Sequence, residues 1–445
     1  MSKLTNALQR IFITTCVITR TTEMAANRLG AGFFLPALFV LRYSSMGGLD
    51  PRLFAEQLNS IKSFKDEAWC SYWNAIAREQ LAAAEMFAPT MTEAFMTDTI
   101  TSAGATEPDW SAFRSALAPL GVRVVDLMNT GVDGWSTLEN VDEGTYQAIS
   151  ALRCLVKAIT YFQVSAFPGN SLVRMEAYAQ SRKIFHHVTQ ILAPIIGLTI
   201  EQLDMTIAGE VVKGYLATPA GTAACPLAIV TNGLEGTVQE LAIPLLKYHD
   251  SGLAVFFMEM PGTYAYRERM SPASEAIYHG VIDCLAKHPK VDAGRMGFVG
   301  VSFGGYWAAR MAASNQRLKC VVACGAPTHH SFQIGNTIGI PDIIVKALQH
   351  TTGATSLHGL MHKLRAMSLR TLYRQIKCPL LVINGDNDTL LSTQDSVDLA
   401  SQAQQGTLKL YPGDDHCAMG HYREWLDLSQ SWMRTHLLPE AQLKG

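Results

Sequence analysis

The order of apolar and polar positions divides the chain into a helical part and a part that alternates strands with helices. From about residue 50 to 195, apolar residues recur every three or four positions, a spacing typical of helices that bury one face. Asp50-Pro51 suits a helix start, because aspartate caps well and proline fits the first turn. The predicted helices cover Leu53 to Phe64, Glu67 to Phe87, a stripe from Leu152 to Phe162 that ends at Pro168-Gly169, and a stretch capped by Asn170 that runs to about Leu192.

After Pro194 the pattern changes to short runs of Val, Ile and Leu separated by helical stretches. The predicted strands are Met205 to Ile207, Val211 to Ala217, Leu227 to Thr231, Leu253 to Met258, Met296 to Val299, Cys320 to Ala323, Leu380 to Ile383 and Leu408 to Tyr411. The predicted helices are Val238 to His249, Ser274 to His288, Gly304 to Ala313, Gln394 to Ala403 and Tyr422 to His436. Continuous apolar runs indicate strands buried on both faces, and therefore a mostly parallel eight-stranded α/β sheet with helices on both faces.

These patterns predict two domains, a helical N-terminal domain over residues 1–195 that roofs the site and a catalytic α/β domain over residues 196–445. Residues 326–377 are too long for a plain crossover and predict a helical insertion near the site. In the first 45 residues, Ile11 to Ile18 and Phe33 to Leu41 are apolar but shorter than the roughly 18 residues of a membrane span. We expect buried or interfacial helices there and no transmembrane span, with a membrane surface or a second subunit in a homodimer as alternative contacts.

Composition narrows the class of protein. The net charge of −2 predicts no basic face, so we expect no nucleic-acid partner. The nine cysteines form no C-x-x-C pair or zinc spacing, which favours reduced thiols in a cytoplasmic protein. No metal-binding motif is present, and the chemistry inferred below needs no metal or cofactor.

The most informative motif is Gly300-Val301-Ser302-Phe303-Gly304-Gly305, which lies between a predicted strand and a predicted helix. G-x-S-x-G in this position is the pattern of a nucleophile elbow. The turn is so tight that a Cβ at either flanking glycine would clash, and it lifts the hydroxyl of Ser302 above the sheet. Ser302 is therefore the candidate nucleophile.

A serine hydroxyl needs a base, and in elbow folds the acid and the histidine follow the serine in that order. The strand Leu380 to Ile383 leads into Asn384-Gly385-Asp386-Asn387-Asp388, where the position three after the glycine selects Asp388. Asp386 is the alternative acid, and two aspartates that only cap a turn are the plainer interpretation.

The last predicted strand, Leu408 to Tyr411, is followed by Pro412-Gly413-Asp414-Asp415-His416, which makes His416 the candidate general base. His421 competes from within the last helix, while His329 and His330 follow the strand after Ser302 and are expected to line the pocket. Asp414 and Asp415 either raise the pKa of His416 or are simply solvated.

The oxyanion of a tetrahedral intermediate needs two donors. The backbone amide of Phe303 is one. The other is expected in the loop Asn232-Gly233-Leu234-Glu235-Gly236, where either Gly233 or Leu234 supplies it. A phosphate cradle is disfavoured, since the loop has neither G-x-G-x-x-G nor a Walker A pattern.

With these residues in place, the chain resembles the α/β-hydrolase superfamily, and within it the FrsA-like esterases and their fungal relatives. The resemblance is carried by Ala158 to Gln163 with Phe167-Pro168 and the helix Glu176 to Phe185, by Asn232 to Glu240, and by Pro412 to Cys417. It spans about residues 145 to 435. It implies a tailoring enzyme that acts on a polyketide or polyketide–amino acid intermediate of secondary metabolism. Glu259 and Thr263-Tyr264 depart from the family pattern, in a loop expected to border the pocket.

The first interpretation is a serine hydrolase that cuts an ester, thioester, amide or activated carbon–carbon bond of an apolar small molecule. Tyr161, Phe162 and Phe167 are candidates for the pocket wall, or are plain core. The second keeps the same three residues but uses His416 as the base of an intramolecular condensation, which makes a lactam, pyrrolone or carbocycle in a dry pocket. A non-catalytic binding protein is the third, and the complete set of three catalytic residue types argues against it.

Overall fold

Helices occupy the chain up to Ile195. The structure is a computed structural model that describes residues 3–96, 108–129, 141–221, 223–240, 250–333 and 339–439 of the 445-residue chain. Within these ranges the helices before the first strand are α1 (Lys3–Thr19), α2 (Thr22–Leu29), α3 (Ala37–Ser45), α4 (Pro51–Ser60), α5 (Asp66–Phe87), α6 (Pro89–Met96), α7 (Ser111–Leu117), α8 (Arg123–Asn129), α9 (Glu143–Ala166) and α10 (Leu172–Ile195).

One eight-stranded sheet follows. Its strands are β1 (Leu198–Ile207), β2 (Glu210–Pro219), β3 (Cys225–Thr231), β4 (Ala254–Met258), β5 (Val291–Val301), β6 (Leu318–Cys324), β7 (Leu380–Gly385) and β8 (Gly406–Tyr411). They lie in the order β1-β2-β4-β3-β5-β6-β7-β8. β2 is antiparallel to β1 and β4, and every other neighbouring pair is parallel. The predicted mostly parallel sheet with a helical N-terminal region is confirmed.

The helices of the second part connect these strands. They are α11 (Glu275–Leu285), α12 (Phe303–Ser314), α13 (Asp342–Thr352), α14 (Leu357–Ala366), α15 (Gln394–Gln402) and α16 (Tyr422–Leu437). The helices α13 and α14 form part of the expected insertion. Of the predicted helix Val238 to His249, residues 238–240 are helical and the rest lies outside the described residues.

The inner strands β3, β4 and β7 of the sheet are buried on both faces, as their apolar runs require. In β3, Ala228 and Val230 pack into one core together with α5, α9, α10 and α16. Leu227 and Ile229, which point to the opposite face, pack into a second core together with α11, α12 and α15. Successive residues of a strand point to opposite faces, so an uninterrupted apolar run serves both cores.

The start of α4 follows capping chemistry. The Asp50 carboxylate accepts the amides of Arg52 (3.0 Å) and Leu53 (2.8 Å), as predicted. The predicted cap at Asn170 is wrong, because Ser171 is the extended residue that precedes α10. The amide of Asn170 donates instead to the carbonyl of Pro168 (2.8 Å), which places it inside the preceding turn.

The first helices form a small cluster of their own, in which Ile13 and Cys16 of α1 pack against Ala26 and Phe34. Other apolar side chains of α1 are exposed, among them Ile18. No helix in the described ranges combines the length and hydropathy that a bilayer crossing requires. The homodimer and the cytoplasmic location stay predictions.

Candidate functional site

Ser302 lies at the sharp turn between β5 and α12. Its φ of 57° and ψ of −122° are strained for a residue with a side chain, as an elbow demands. Its amide donates to the carbonyl of Cys324 on the neighbouring β6 (2.7 Å), which helps to hold the turn. A Cβ on Gly300 would overlap the carbonyl of Gly304, so a glycine at 300 is required.

The structure brings Ser302, His416 and Asp388 into one hydrogen-bonded row. The Ser302 hydroxyl lies 2.9 Å from Nε2 of His416, and Nδ1 of His416 lies 2.8 Å from Oδ2 of Asp388. This convergence follows from topology, since β5, β7 and β8 are parallel and their carboxyl ends share one edge of the sheet. Nδ1–H donates to the carboxylate, which leaves Nε2 as the acceptor of the serine proton.

Asp388 is fixed by its own turn. Oδ1 accepts the amides of Leu390 (2.9 Å) and Leu391 (2.8 Å), and Asn384 donates to Oδ2 (3.0 Å). The alternative acid, Asp386, is exposed and accepts the amide of Gly413 (2.7 Å) instead. The structure therefore places Asp388, and not Asp386, against His416.

Burial and charge pull the pKa values of this pair in opposite directions. Burial lowers the pKa of His416, while the Asp388 carboxylate beside Nδ1 raises it. Cys417 contributes no charge at neutral pH, because burial raises the pKa of its thiol well above the ordinary value. Burial raises the pKa of Asp388, and the His416 ring more than offsets this, so that the pKa is lowered overall.

The competing histidines have other partners. His421 lies against Asp414, with Nδ1 2.8 Å from its carboxylate. His329 pairs with Ser368 (2.8 Å) and His330 with Asp398 (3.0 Å). The expectation that His329 and His330 line the pocket is wrong, since neither side chain reaches the cavity beside Ser302.

Asp414 and Asp415 shape the loop that carries His416. Asp414 is buried, and its carboxylate accepts the amides of Asp415 (2.8 Å) and Gly420 (3.1 Å). Asp415 accepts the amide of His416 (2.7 Å). Their function here is to fix the backbone, whereas the carboxylate that raises the pKa of His416 is that of Asp388.

The geometry favours Leu234 over Gly233 as the second oxyanion donor. The amide of Gly233 already donates to Oδ1 of Asn232 (2.9 Å). Among the described residues, the amides of Leu234 and Phe303 have no protein acceptor. A Cβ on Gly233 would lie 2.6 Å from the Cβ of Ser302, so this loop packs directly against Ser302.

A cavity of about 520 Å³ opens beside Ser302 and His416. Its wall is mainly apolar and comes from α1, α3, α13, α14 and the strand ends. The lining side chains include Val17, Leu38, Phe39, Met46, Phe167, Phe332, Ile344, Leu348, Leu360, Leu390 and Met419. In the described part of the chain, no group of three or more His, Cys, Asp or Glu is arranged to hold a metal ion.

Tyr161 and Phe162 are plain core residues of α9, the second of the two interpretations, and of the three aromatic candidates only Phe167 lines the cavity. The expectation that the loop Met258 to Tyr264 borders the pocket is wrong, since it does not reach the cavity. Glu259 is buried and accepts the hydroxyl of Tyr178 (2.8 Å), which directs this loop toward α10.

No motif or spacing predicted Arg42 and Glu240, which also line the cavity. Arg42 lies on α3, and its guanidinium forms an ion pair with the buried Glu240 carboxylate. Glu240 falls within the family-like stretch, but Arg42 stands alone in an apolar segment. A single charged residue in an apolar helix was the one signal for Arg42, and that signal does not show which residue Arg42 pairs with.

Glu235 carries a buried carboxyl within the oxyanion loop, Asn232 to Gly236. Its Oε2 accepts the amide of Gly169 (2.7 Å), while Oε1 has no hydrogen-bond partner in the described chain. The Glu235 carbonyl accepts the Tyr264 hydroxyl (3.0 Å). Burial raises the pKa of Glu235 to about 7.

This raised pKa predicts that Glu235 makes stability fall as pH rises. Between the unfolded pKa and the folded value of about 7, the native state binds more protons than the unfolded state, so the unfolding free energy decreases. We expect Glu235→Gln to remove about 3 kcal/mol of the difference in unfolding free energy between pH 5 and pH 8. Urea unfolding at both pH values measures it, with the exposed Glu79→Gln as control. An unchanged pH difference in Glu235→Gln would contradict the prediction.

Comparison with known proteins adds to this geometry. A family model described as "Esterase FrsA-like" matches residues 139–438. Esterase FrsA of Vibrio cholerae serotype O1 is 24% identical over 291 residues, which cover 63% of this chain and 69% of the relative. The 2,6-dihydropseudooxynicotine hydrolase of Paenarthrobacter nicotinovorans is 24% identical over 300 residues, or 65% of this chain and 79% of that protein.

The fold is shared over more of the chain than the sequence match. The crystal structure of a 2,6-dihydroxy-pseudo-oxynicotine hydrolase superposes with a TM-score of 0.64 at 18% identity. It covers 89% of this chain and 95% of its own length. The α/β-hydrolase fold, together with helices that precede the sheet, is therefore common to both proteins.

Proposed function

This chain belongs to the FrsA-like esterase family and is an enzyme of the α/β-hydrolase fold, and on that premise we propose that Ser302, His416 and Asp388 are its catalytic residues. The observation that carries the proposal is the hydrogen-bonded row from the Ser302 hydroxyl through His416 to Asp388, at the edge of an apolar cavity. The reaction is acyl transfer to water.

Each residue has one task. Ser302 Oγ attacks the acyl carbon while its proton passes to Nε2 of His416. The amides of Phe303 and Leu234 bind the oxyanion of the tetrahedral intermediate. Its collapse forms the acyl-enzyme, and His416 protonates the leaving group. Water then attacks the acyl-enzyme, with His416 again as the base, and frees the acid and the Ser302 hydroxyl.

The cavity supports an apolar acyl substrate of some size. Its volume of about 520 Å³ lies within the range of small-molecule sites, and its wall is mainly aliphatic and aromatic. Together with the resemblance to hydrolases of fungal secondary metabolism, this supports a polyketide or polyketide–amino acid intermediate. The bond is an ester, a thioester or an activated carbon–carbon bond next to a ketone.

The deciding experiment uses 18O-labelled water. Purified enzyme is incubated with β-keto acyl thioesters of N-acetylcysteamine, and with related polyketide–amino acid thioesters that can cyclise. We expect an acid product that carries one solvent oxygen, since water attacks the acyl-enzyme, and mass spectrometry reads the label. An unlabelled cyclic product formed by wild type but not by Ser302→Ala would favour the condensation catalyst. No conversion of any substrate would contradict both.

A further inference from the structure

Arg42 introduces a charge into a mainly apolar wall. It belongs to α3, which lies outside the stretch matched by the family model, residues 139–438. Its side chain is 19% exposed and lines the same cavity as Ser302. α3 itself packs against the turn that follows His416, so its position is tied to the catalytic loop.

Hydrogen bonds from Nε and Nη2 fix one edge of the Arg42 guanidinium. Nε and Nη2 both donate to the carboxylate of Glu240, the latter at 2.6 Å, and Nη2 also donates to the Glu235 carbonyl (3.3 Å). The rings of Tyr43 and Phe167 lie 5.3 and 5.9 Å from its central carbon. A planar group fixed in this way presents its remaining N–H groups in one direction.

That remaining nitrogen is Nη1. No residue in the described chain accepts a hydrogen bond from it. Nη1 keeps accessible surface in the cavity wall, so a bound oxygen atom can replace solvent there. Of the other polar groups of the wall, Asn232 is engaged with the amide of Gly233 and Ser331 with the amide of Ser392, while His358, His362 and Arg365 are exposed.

A chain of contacts also fixes the position of Arg42 relative to Ser302. Glu240 Oε2, which Arg42 contacts, accepts the side-chain amide of Asn232 (3.0 Å), and Asn232 in turn accepts the amide of Gly233. Gly233 packs against Ser302. A ligand oxygen on Nη1 is therefore held at a fixed offset from the carbonyl that Ser302 attacks.

We propose that Arg42 forms a polar subsite that binds a second oxygen of the substrate, distinct from the oxygen of the scissile carbonyl. Glu240 already balances the charge of Arg42, so the subsite favours a neutral carbonyl over a carboxylate. The ligand class is acyl compounds with a further ketone or amide carbonyl, such as β-keto esters and thioesters. This inference rests on the proposed function and specifies its substrate.

The test compares two N-acetylcysteamine thioesters of equal chain length, one β-keto and one plain. Arg42→Lys keeps a cation beside Glu240 but removes the Nη1 donor. We expect its kcat/KM to fall about 10- to 100-fold for the β-keto thioester, and by no more than about threefold for the plain one. The matched control is Arg52→Lys, an exposed arginine of α4, which is expected to leave both values unchanged.

Three results would overturn the subsite. An equal loss on both thioesters means that Arg42 acts only through the oxyanion loop. No loss on either means that Nη1 binds nothing. Lastly, an equal kcat/KM of wild type for the plain and the β-keto thioester means that no subsite exists.

A binding measurement separates the subsite from the chemistry. Calorimetry on Ser302→Ala, with and without Arg42→Lys, compares a β-keto amide with its plain amide. We expect the β-keto amide to bind about tenfold more tightly to Ser302→Ala alone. Equal affinities there overturn the subsite even if Arg42→Lys does not fold. Discrimination without turnover of any thioester would contradict the proposed function and leave the subsite standing.

Discussion

Ser302→Ala is expected to lower kcat by about 10⁶-fold, because no other group in the row can form the acyl-enzyme. The hydroxyl lies 2.9 Å from the base at the elbow, and alanine leaves His416 with no proton to accept. The variant should fold, since a methyl group keeps the strained turn and its hydrogen bond to the carbonyl of Cys324. Hydrolysis of a β-keto or plain thioester measures the loss, and circular dichroism checks the fold.

A fluorophosphonate probe tests the same residue independently of any substrate. Wild type should be labelled on Ser302 and Ser302→Ala should not. Ser331→Ala is the matched control, because Ser331 lines the same cavity and its hydroxyl only accepts the Ser392 amide (3.0 Å). Labelling that persists in Ser302→Ala, or that is lost in Ser331→Ala, would contradict the assignment of the nucleophile.

Asp388→Asn is expected to lower kcat by about 10⁴-fold. The carboxylate holds the proton of His416 on Nδ1, and an amide that donates to Nδ1 moves the proton to Nε2, where it blocks acceptance from Ser302. The matched control is Asp386→Asn, two residues away in the same turn, which we expect to keep kcat within about threefold because Asp386 does not reach His416. Equal losses in the two variants would remove Asp388 from the site.

The same pair predicts a shift in pH dependence. His416 acts as a base only when neutral, so kcat/KM of wild type should rise as pH increases through its pKa. Asp388 raises that pKa, and the residual activity of Asp388→Asn should therefore titrate at lower pH than the wild type. A titration that moves to higher pH in the variant would contradict this. Stopped assays over a pH series resolve both curves.

Much of the fold was predictable from the sequence because buried parallel strands leave a strong local signal. Two such runs are Leu227 to Thr231, which is apolar except for Thr231, and Leu380 to Ile383, which is apolar throughout. The structure has a strand at each of them. Strand ends were less predictable. β5 begins at Val291, before its apolar run, because its first residues are partly exposed at the end of the sheet.

The positions of Ser302, Asp388 and His416 followed from the same signal, since each comes just after a strand and parallel strands bring such positions together. The wall of the cavity did not follow from it. Tyr161 and Phe167 lie on or beside one amphipathic helix, yet only Phe167 reaches the cavity. Periodicity shows that a helix face is buried but not whether it meets another helix or an empty space.

Arg42 shows the limit of local patterns most clearly. Its role depends on Glu240, almost two hundred positions away along the chain, and no spacing rule links the two. The choice between Gly233 and Leu234 likewise depended on one side-chain hydrogen bond, from the Gly233 amide to Asn232, which only the folded loop displays.

The cavity also bears on biosynthesis. Val17 and Met419 both line it, although they lie far apart along the chain. During translation the early helices are made long before the loop that carries His416. The nascent chain therefore completes the pocket only after that loop has been synthesised, so products released before that point should be inert toward esters.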